Sequence, residues 1–188
     1  MEICLVVLLL IPYLFVKYYL TDHETKAEKD LARFAEGIWL LNENRFEAAF
    51  RYFDEVVKAN PKSAVAYAYR GKCNLFDENY YSALYDLEQA LSFDNTLSDC
   101  FMDKGKAHLA LKEFAEAFRE FDKAVWFFRN ENADALRFRG LSRLRMEQFA
   151  QSERDLLRAM ELGDEDSRFI LSQAPFNLDL AKHERQSR

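Results

Sequence analysis

Large apolar, small and glycine positions recur along this chain in fixed columns about 34 residues apart. Phe53, Leu87, Phe121 and Leu156 form one column, and Ala49, Ala83, Ala117 and Ser152 a second. Val56, Ala90, Ala124 and Ala159 form a third. The fourth column is Gly37, Gly71, Gly105 and Gly140, spaced 34, 34 and 35 residues apart, which uses four of the five glycines. Several columns in one register define a repeat, and a period near 34 residues is the signature of stacked helix–turn–helix units. Helical periodicity within the units and only 3 prolines predict an all-α protein.

Each unit is expected to hold a first helix, A, with the glycine and a second, B, with the alanines. Glycine inside a helix costs about 1 kcal/mol relative to alanine, so four at one period mark sites where only a small residue fits. Phe46, Tyr80, Phe114 and Phe149 each stand three residues before a small residue and are expected to open helix B and plug the seam. One hairpin cannot bury its apolar face alone, and neighbours complete the core. The units are expected at 30–63, 64–97, 98–132 and 133–166, within a repeat region 30–162. The extra residue of the last interval falls in "FRNENAD", near Asn130 to Asn132, and lengthens a loop.

In "AVAYAYRGKCNLFDENYYSALYDLEQAL" the residues Tyr67, Gly71, Tyr80, Ala83, Leu87 and Ala90 resemble the tetratricopeptide repeat family. Phe101, Gly105, Phe114, Ala117, Phe121 and Ala124 repeat the match, and Pro61 follows the first B helix where the family often has proline. Ser152 in place of alanine, Met146–Glu147 before the last B helix and Asn95 in the second unit depart from the pattern. The resemblance implies a right-handed α-solenoid of four helical hairpins that binds protein or peptide partners and catalyses nothing. In this family the concave wall comes mainly from the A helices. Carried over residue by residue, the wall comprises Phe34, Ile38, Leu41, Ala68, Lys72 and Leu75, then Asp99, Met102, Asp103, Lys106, Arg137 and Leu141. The family's clamp for acidic chaperone tails needs Lys, Arg and Asn at positions that here hold Phe34, Ile38, Tyr69, Asp99 and Asp103. Two carboxylates replace the cations, and like charge opposes such a tail.

Residues Ile3 to Val16 carry no charge, and Lys17, Tyr18, Tyr19 and Leu20 follow. A helix from Ile3 to Leu20 would be about 27 Å long, against a hydrocarbon core of about 30 Å. Residues 1–20 are therefore expected to form a transmembrane signal anchor in the lipid bilayer, with Lys17 reaching the interface. Residues 21–29 would be a juxtamembrane linker or helix extension. A cleaved signal peptide of a secreted or periplasmic assembly factor is a rival reading, but Met1–Glu2 is not a basic start and "TDHETKAEKD" has no small-residue cleavage site. A helix packed inside a large membrane complex, as a structural subunit, is another. Lys17, Lys26, Lys29 and Arg33 follow the segment and no cation precedes it, which orients the repeats toward the cytoplasm.

A formal charge of −6 gives no support for nucleic-acid binding. The fourth unit is locally basic, with Arg137, Arg139, Arg143, Arg145, Arg154 and Arg158, diluted by Asp134, Glu147, Glu153 and Asp155. This reads as a solvated, ion-paired face, with an acidic-partner patch as the sharper alternative. Cys4, Cys73 and Cys100 make neither a disulfide framework nor a zinc motif. His23, His108 and His183 are isolated in sequence. No phosphate loop, nucleophile elbow or metal motif is present, so no cofactor, metal or catalytic residue is expected. Residues 163–188 should form a capping helix, begun by Asp166 or Ser167, and a polar tail. Phe169, Ile170 and Leu171 are expected to cover the last hairpin.

Overall fold

The computed structural model describes residues 10–17 and 25–179, and all its regular structure is helical. The first A helix is made of α1 (Lys26–Arg33) and α2 (Ala35–Asn42), and its B helix is α3 (Phe46–Ala59). The second hairpin is α4 (Ala64–Phe76) with α5 (Tyr80–Phe93), and the third is α6 (Ser98–Ala110) with α7 (Phe114–Phe127). The fourth pairs α8 (Ala133–Arg145) with α9 (Phe149–Glu161), and α10 (Glu165–Ser172) follows. All four B helices begin at the aromatic residue of the repeat.

The columns become layers of the core. Phe53, Leu87, Phe121 and Leu156 have no exposed surface, and each is worth roughly 1.5–3 kcal/mol of burial. The glycines sit where these side chains cross. A β-carbon at Gly105 would lie 2.5 Å from the Phe121 ring, and one at Gly71 2.9 Å from Leu87 Cγ. Ser152, the departure from alanine, donates from Oγ to the Gly140 carbonyl at 2.7 Å across its hairpin. Serine fits there because a small hydroxyl finds an acceptor in the same close contact.

Every A-to-B turn uses one device. Asn44, Glu78, Lys112 and Glu147 take left-handed φ of 57°, 59°, 62° and 60°. The amide after each bonds back five residues, as Arg45 N does to the Leu40 carbonyl at 2.9 Å. This satisfies the last carbonyls of helix A and reverses the chain. The fifth glycine, Gly163 at φ 94°, does the same after α9, and Asp164 N reaches the Ala159 carbonyl. The link between α7 and α8 has five residues where the other B-to-A links have four, and Asn132 caps α8.

The structure corrects several boundaries. The first A helix starts at Lys26 rather than residue 30, fixed by a reciprocal Thr25–Glu28 cap, so 26–29 is helix extension. The hydrogen-bond ladder continues through the bend at Phe34, where Ile38 N meets the Phe34 carbonyl at 3.1 Å. Asp30 then accepts from Ser63 Oγ at 3.0 Å, tying this extension to the start of α4. The cap of α10 is Asp164, which accepts from Ser167 N, rather than Asp166 or Ser167. Leu171 is fully buried but Phe169 is 67% exposed, because only one face of this short helix meets α9.

Residues 10–17 are helical, and Leu10, Ile11, Tyr13, Leu14, Phe15 and Val16 are all exposed. The remainder of the expected span, 3–9 and 18–20, lies outside the described residues, as does the tail from residue 180. No helix among the described residues is long and apolar enough to cross a membrane.

Candidate partner-binding groove

The A helices α2, α4 and α6 line two adjoining hollows. One, of about 200 Å³, is bounded by Leu31, Val65, Ala68, Leu97, Asp99 and Asp103. The other, of about 300 Å³, is bounded by Ile38, Leu41, Asn44 and Phe76. Tyr69 and Lys72 of α4 belong to both and form the ridge between them. Ile38, Leu41, Ala68, Lys72, Asp99 and Asp103, six of the wall residues expected from sequence, therefore meet in one groove.

Other expected wall residues do other work. Phe34 is 3% exposed and stands edge-on to Phe53 at 6.4 Å. It is core, because the bend of the first A helix turns it inward. Met102 is 7% exposed and packs with Phe121 and Leu136. Arg137 is held by Asp134, Asp164 and Asp166, so the capping helix occupies it. Leu75 and Leu141 are half-buried and border neither hollow. Lys106 lies 3.5 Å from Asp103 and over the Phe138 ring. Leu31, Val65, Leu97, Asn44 and Phe76 also line the hollows and were not assigned to the wall from sequence, and Tyr69 was placed there only as a clamp position. Leu31 sits on α1, before the first carried-over position at Phe34, and Leu97 lies in the loop before α6.

Burial pushes the Asp103 carboxyl above its ordinary range, Lys106 and Lys72 oppose this, and Asp99 adds to it. Burial, with Asp99 and Asp103 nearby, also raises the Tyr69 hydroxyl. Cys73 and Cys100 are buried and pushed up to about 12, so both thiols stay protonated and unreactive. His108 Nδ1 lies 2.7 Å from Glu113, joining the end of α6 to the start of α7. Among the described residues no group of three or more His, Cys, Asp and Glu is placed to hold a metal.

A second periodic set organises the charges. The residue before each inner glycine is a cation that bridges two B helices. Arg70 reaches Asp54 on α3 at 2.8 Å and Asp86 on α5 at 2.7 Å. Arg139 reaches Asp122 on α7 and Asp155 on α9, both at 2.7 Å. Lys104 makes the looser equivalent, 3.4 Å to Glu88 and 3.6 Å to Glu120. Arg143 adds a bond to Asp155 at 2.6 Å. The arginines at 137, 139 and 143 are thus ion-paired, as expected, but mostly buried rather than solvated. Arg145, Arg154 and Arg158 of the same unit are exposed, and Arg158 pairs with Glu161. The sequence carried this signal in the 34-residue spacing of Asp54, Glu88 and Asp122.

No family model matches the chain. It is 28% identical over 93 residues to the Protein SGT1 homolog of Oryza sativa subsp. japonica, covering 50% of this chain and 25% of that one. The chain spans a quarter or less of the length of the curated relatives it matches. Among solved structures, MamA of Desulfovibrio magneticus RS-1 superposes with a TM-score of 0.63 at 22% identity, over 69% of this chain and 72% of that one. The second TPR domain of human RPAP3, in complex with the HSP70 peptide SGPTIEEVD, superposes with a TM-score of 0.54 at 23% identity, over 58% and 90%. Repeat columns, hairpin geometry and these similarities give the chain the stacked-hairpin fold of tetratricopeptide-repeat proteins.

Proposed function

We propose that the chain is a membrane-anchored scaffold or adaptor that seats a segment of a protein partner in the groove of α2, α4 and α6 and carries out no chemistry. The observation that carries this is that the two hollows share Tyr69 and Lys72 as a common wall, so that together they set apolar and polar side chains side by side across three hairpins. The likeness to a repeat domain that holds a peptide supports the same reading. The peptide held by that domain is acidic, whereas this groove presents Asp99 and Asp103, so an acidic tail is disfavoured.

The anchor rests on the uncharged run Ile3 to Val16 and on the exposed apolar side chains of residues 10–17, which water does not favour. The cations Lys17, Lys26, Lys29 and Arg33 after the run support a cytoplasmic side for the repeats. Pull-down with the full chain in mild detergent tests the groove. Ala68→Trp and Ile38→Glu should lose partners that wild type recovers, and equal recovery would count against the groove. Protease added to intact membrane compartments should spare the repeats; their digestion from the outer face would overturn the orientation.

A further inference from the structure

We propose that the groove selects a partner segment bearing a lysine or arginine, its aliphatic stem on Leu31 and Leu97 and its charged end at Asp99 and Asp103. The inference rests on the reading of the groove as the partner site and adds the chemistry it recognises.

Asp99 and Asp103 are four residues apart on α6, on one helix face, and both border the hollow of about 200 Å³. Leu31, Val65, Ala68 and Leu97 give the same hollow an aliphatic wall, with Tyr69, Lys72, Thr96 and Ser98 around it. A long cationic side chain matches this pairing, since it combines an apolar stem with a charged tip. Asp99 is exposed and has no ion-pair or hydrogen-bond partner among the described residues. Asp103 is only 6% exposed, and its single ion pair among the described residues is Lys106 at 3.5 Å, a cation that also lies over Phe138. Burial destabilises the ionised Asp103, and an arriving cation offsets that penalty where a neutral group does not. Lys72 faces these carboxylates from α4, makes no ion pair among the described residues, and is placed to meet a carbonyl of the same segment. An acidic occupant would meet the like charge of Asp99 and the carboxyl of Asp103.

The test is a display library of random extended peptides, panned on the full chain in mild detergent, with SGPTIEEVD as an acidic control. Lysine or arginine should be enriched at one position beside an aliphatic residue, and SGPTIEEVD should not bind. Asp99→Asn combined with Asp103→Asn should weaken the enriched peptides at least ten-fold while circular dichroism stays unchanged, and Ala68→Trp should block them. If the double variant does not fold, Asp99→Asn alone, at an exposed site, gives the same reading with a smaller loss. Enrichment of acidic or uncharged peptides that Ala68→Trp still blocks would overturn the charge selection and leave the groove standing. Peptides indifferent to Ala68→Trp, or no enrichment at all, would overturn the groove and this inference with it.

Discussion

Gly105 and Gly140 occupy the same repeat position, yet they differ in how much room surrounds them. The nearest atom to a β-carbon at Gly105 is in the fully buried Phe121 ring at 2.5 Å, and that ring is itself stacked on Phe138. At Gly140 the nearest is Leu156 Cγ at 3.1 Å. Alanine gains about 1 kcal/mol of helix propensity, while overpacking a core costs about 1–3 kcal/mol. Gly105→Ala should therefore lower the urea midpoint, and Gly140→Ala should leave it nearly unchanged; equal effects would disprove the gradient. Asp103 supplies a second residue-scale prediction. Its folded carboxyl titrates above the ordinary 3.8 because burial disfavours the charge. Across that window the folded state holds more proton than the unfolded one, so stability falls as pH rises, and the penalty is fully present above it. Asp103→Asn should be more stable than wild type at neutral pH and should lose this advantage as pH falls toward the ordinary value. Chemical denaturation at several pH values measures it. A carboxylate held at a cost to the fold is the kind of residue that binding sites retain.

At the scale of elements, the bridging cations decide how one hairpin grips the next. Asp155 is nearly buried and receives two bonds from Arg139 and one from Arg143. Removing Arg139 strands buried charge, and breaking a buried pair on one side costs about 3–5 kcal/mol. Arg139→Ala should thus lower the thermal midpoint sharply, whereas Arg154→Ala, on an exposed side chain, should shift stability by no more than about 0.5 kcal/mol. Lys104→Ala should fall between them, since its contacts are longer and Glu88 is exposed. The starts of all four B helices were legible from their aromatic residues. The turns before them were not, because Glu78, Lys112 and Glu147 carry no turn signature and take left-handed backbone only because the packed helices impose it.

At the scale of the molecule, the array needs a closed end. Leu171 of α10 is fully buried, and Asp164 and Asp166 hold Arg137. Leu171→Ala should cost about 2–5 kcal/mol, and a chain ending at Gly163 should bind more apolar dye and unfold at a lower temperature. Dye binding equal to that of the full chain would show that α10 is not the cap. The period of glycines, alanines and large apolar residues by itself determined four hairpins and their core, because a repeated unit must bury the same face each time. It also located Ile38, Lys72, Asp99 and Asp103 correctly on the A helices. Only the tertiary structure decided which of the A-helix residues remain open. Phe34 turns inward at a bend, Met102 sinks into the core and Arg137 is taken by the cap, because those outcomes depend on what packs from elsewhere in the chain. A repeat pattern records what every unit shares, whereas a binding surface is made of what the packing leaves uncovered.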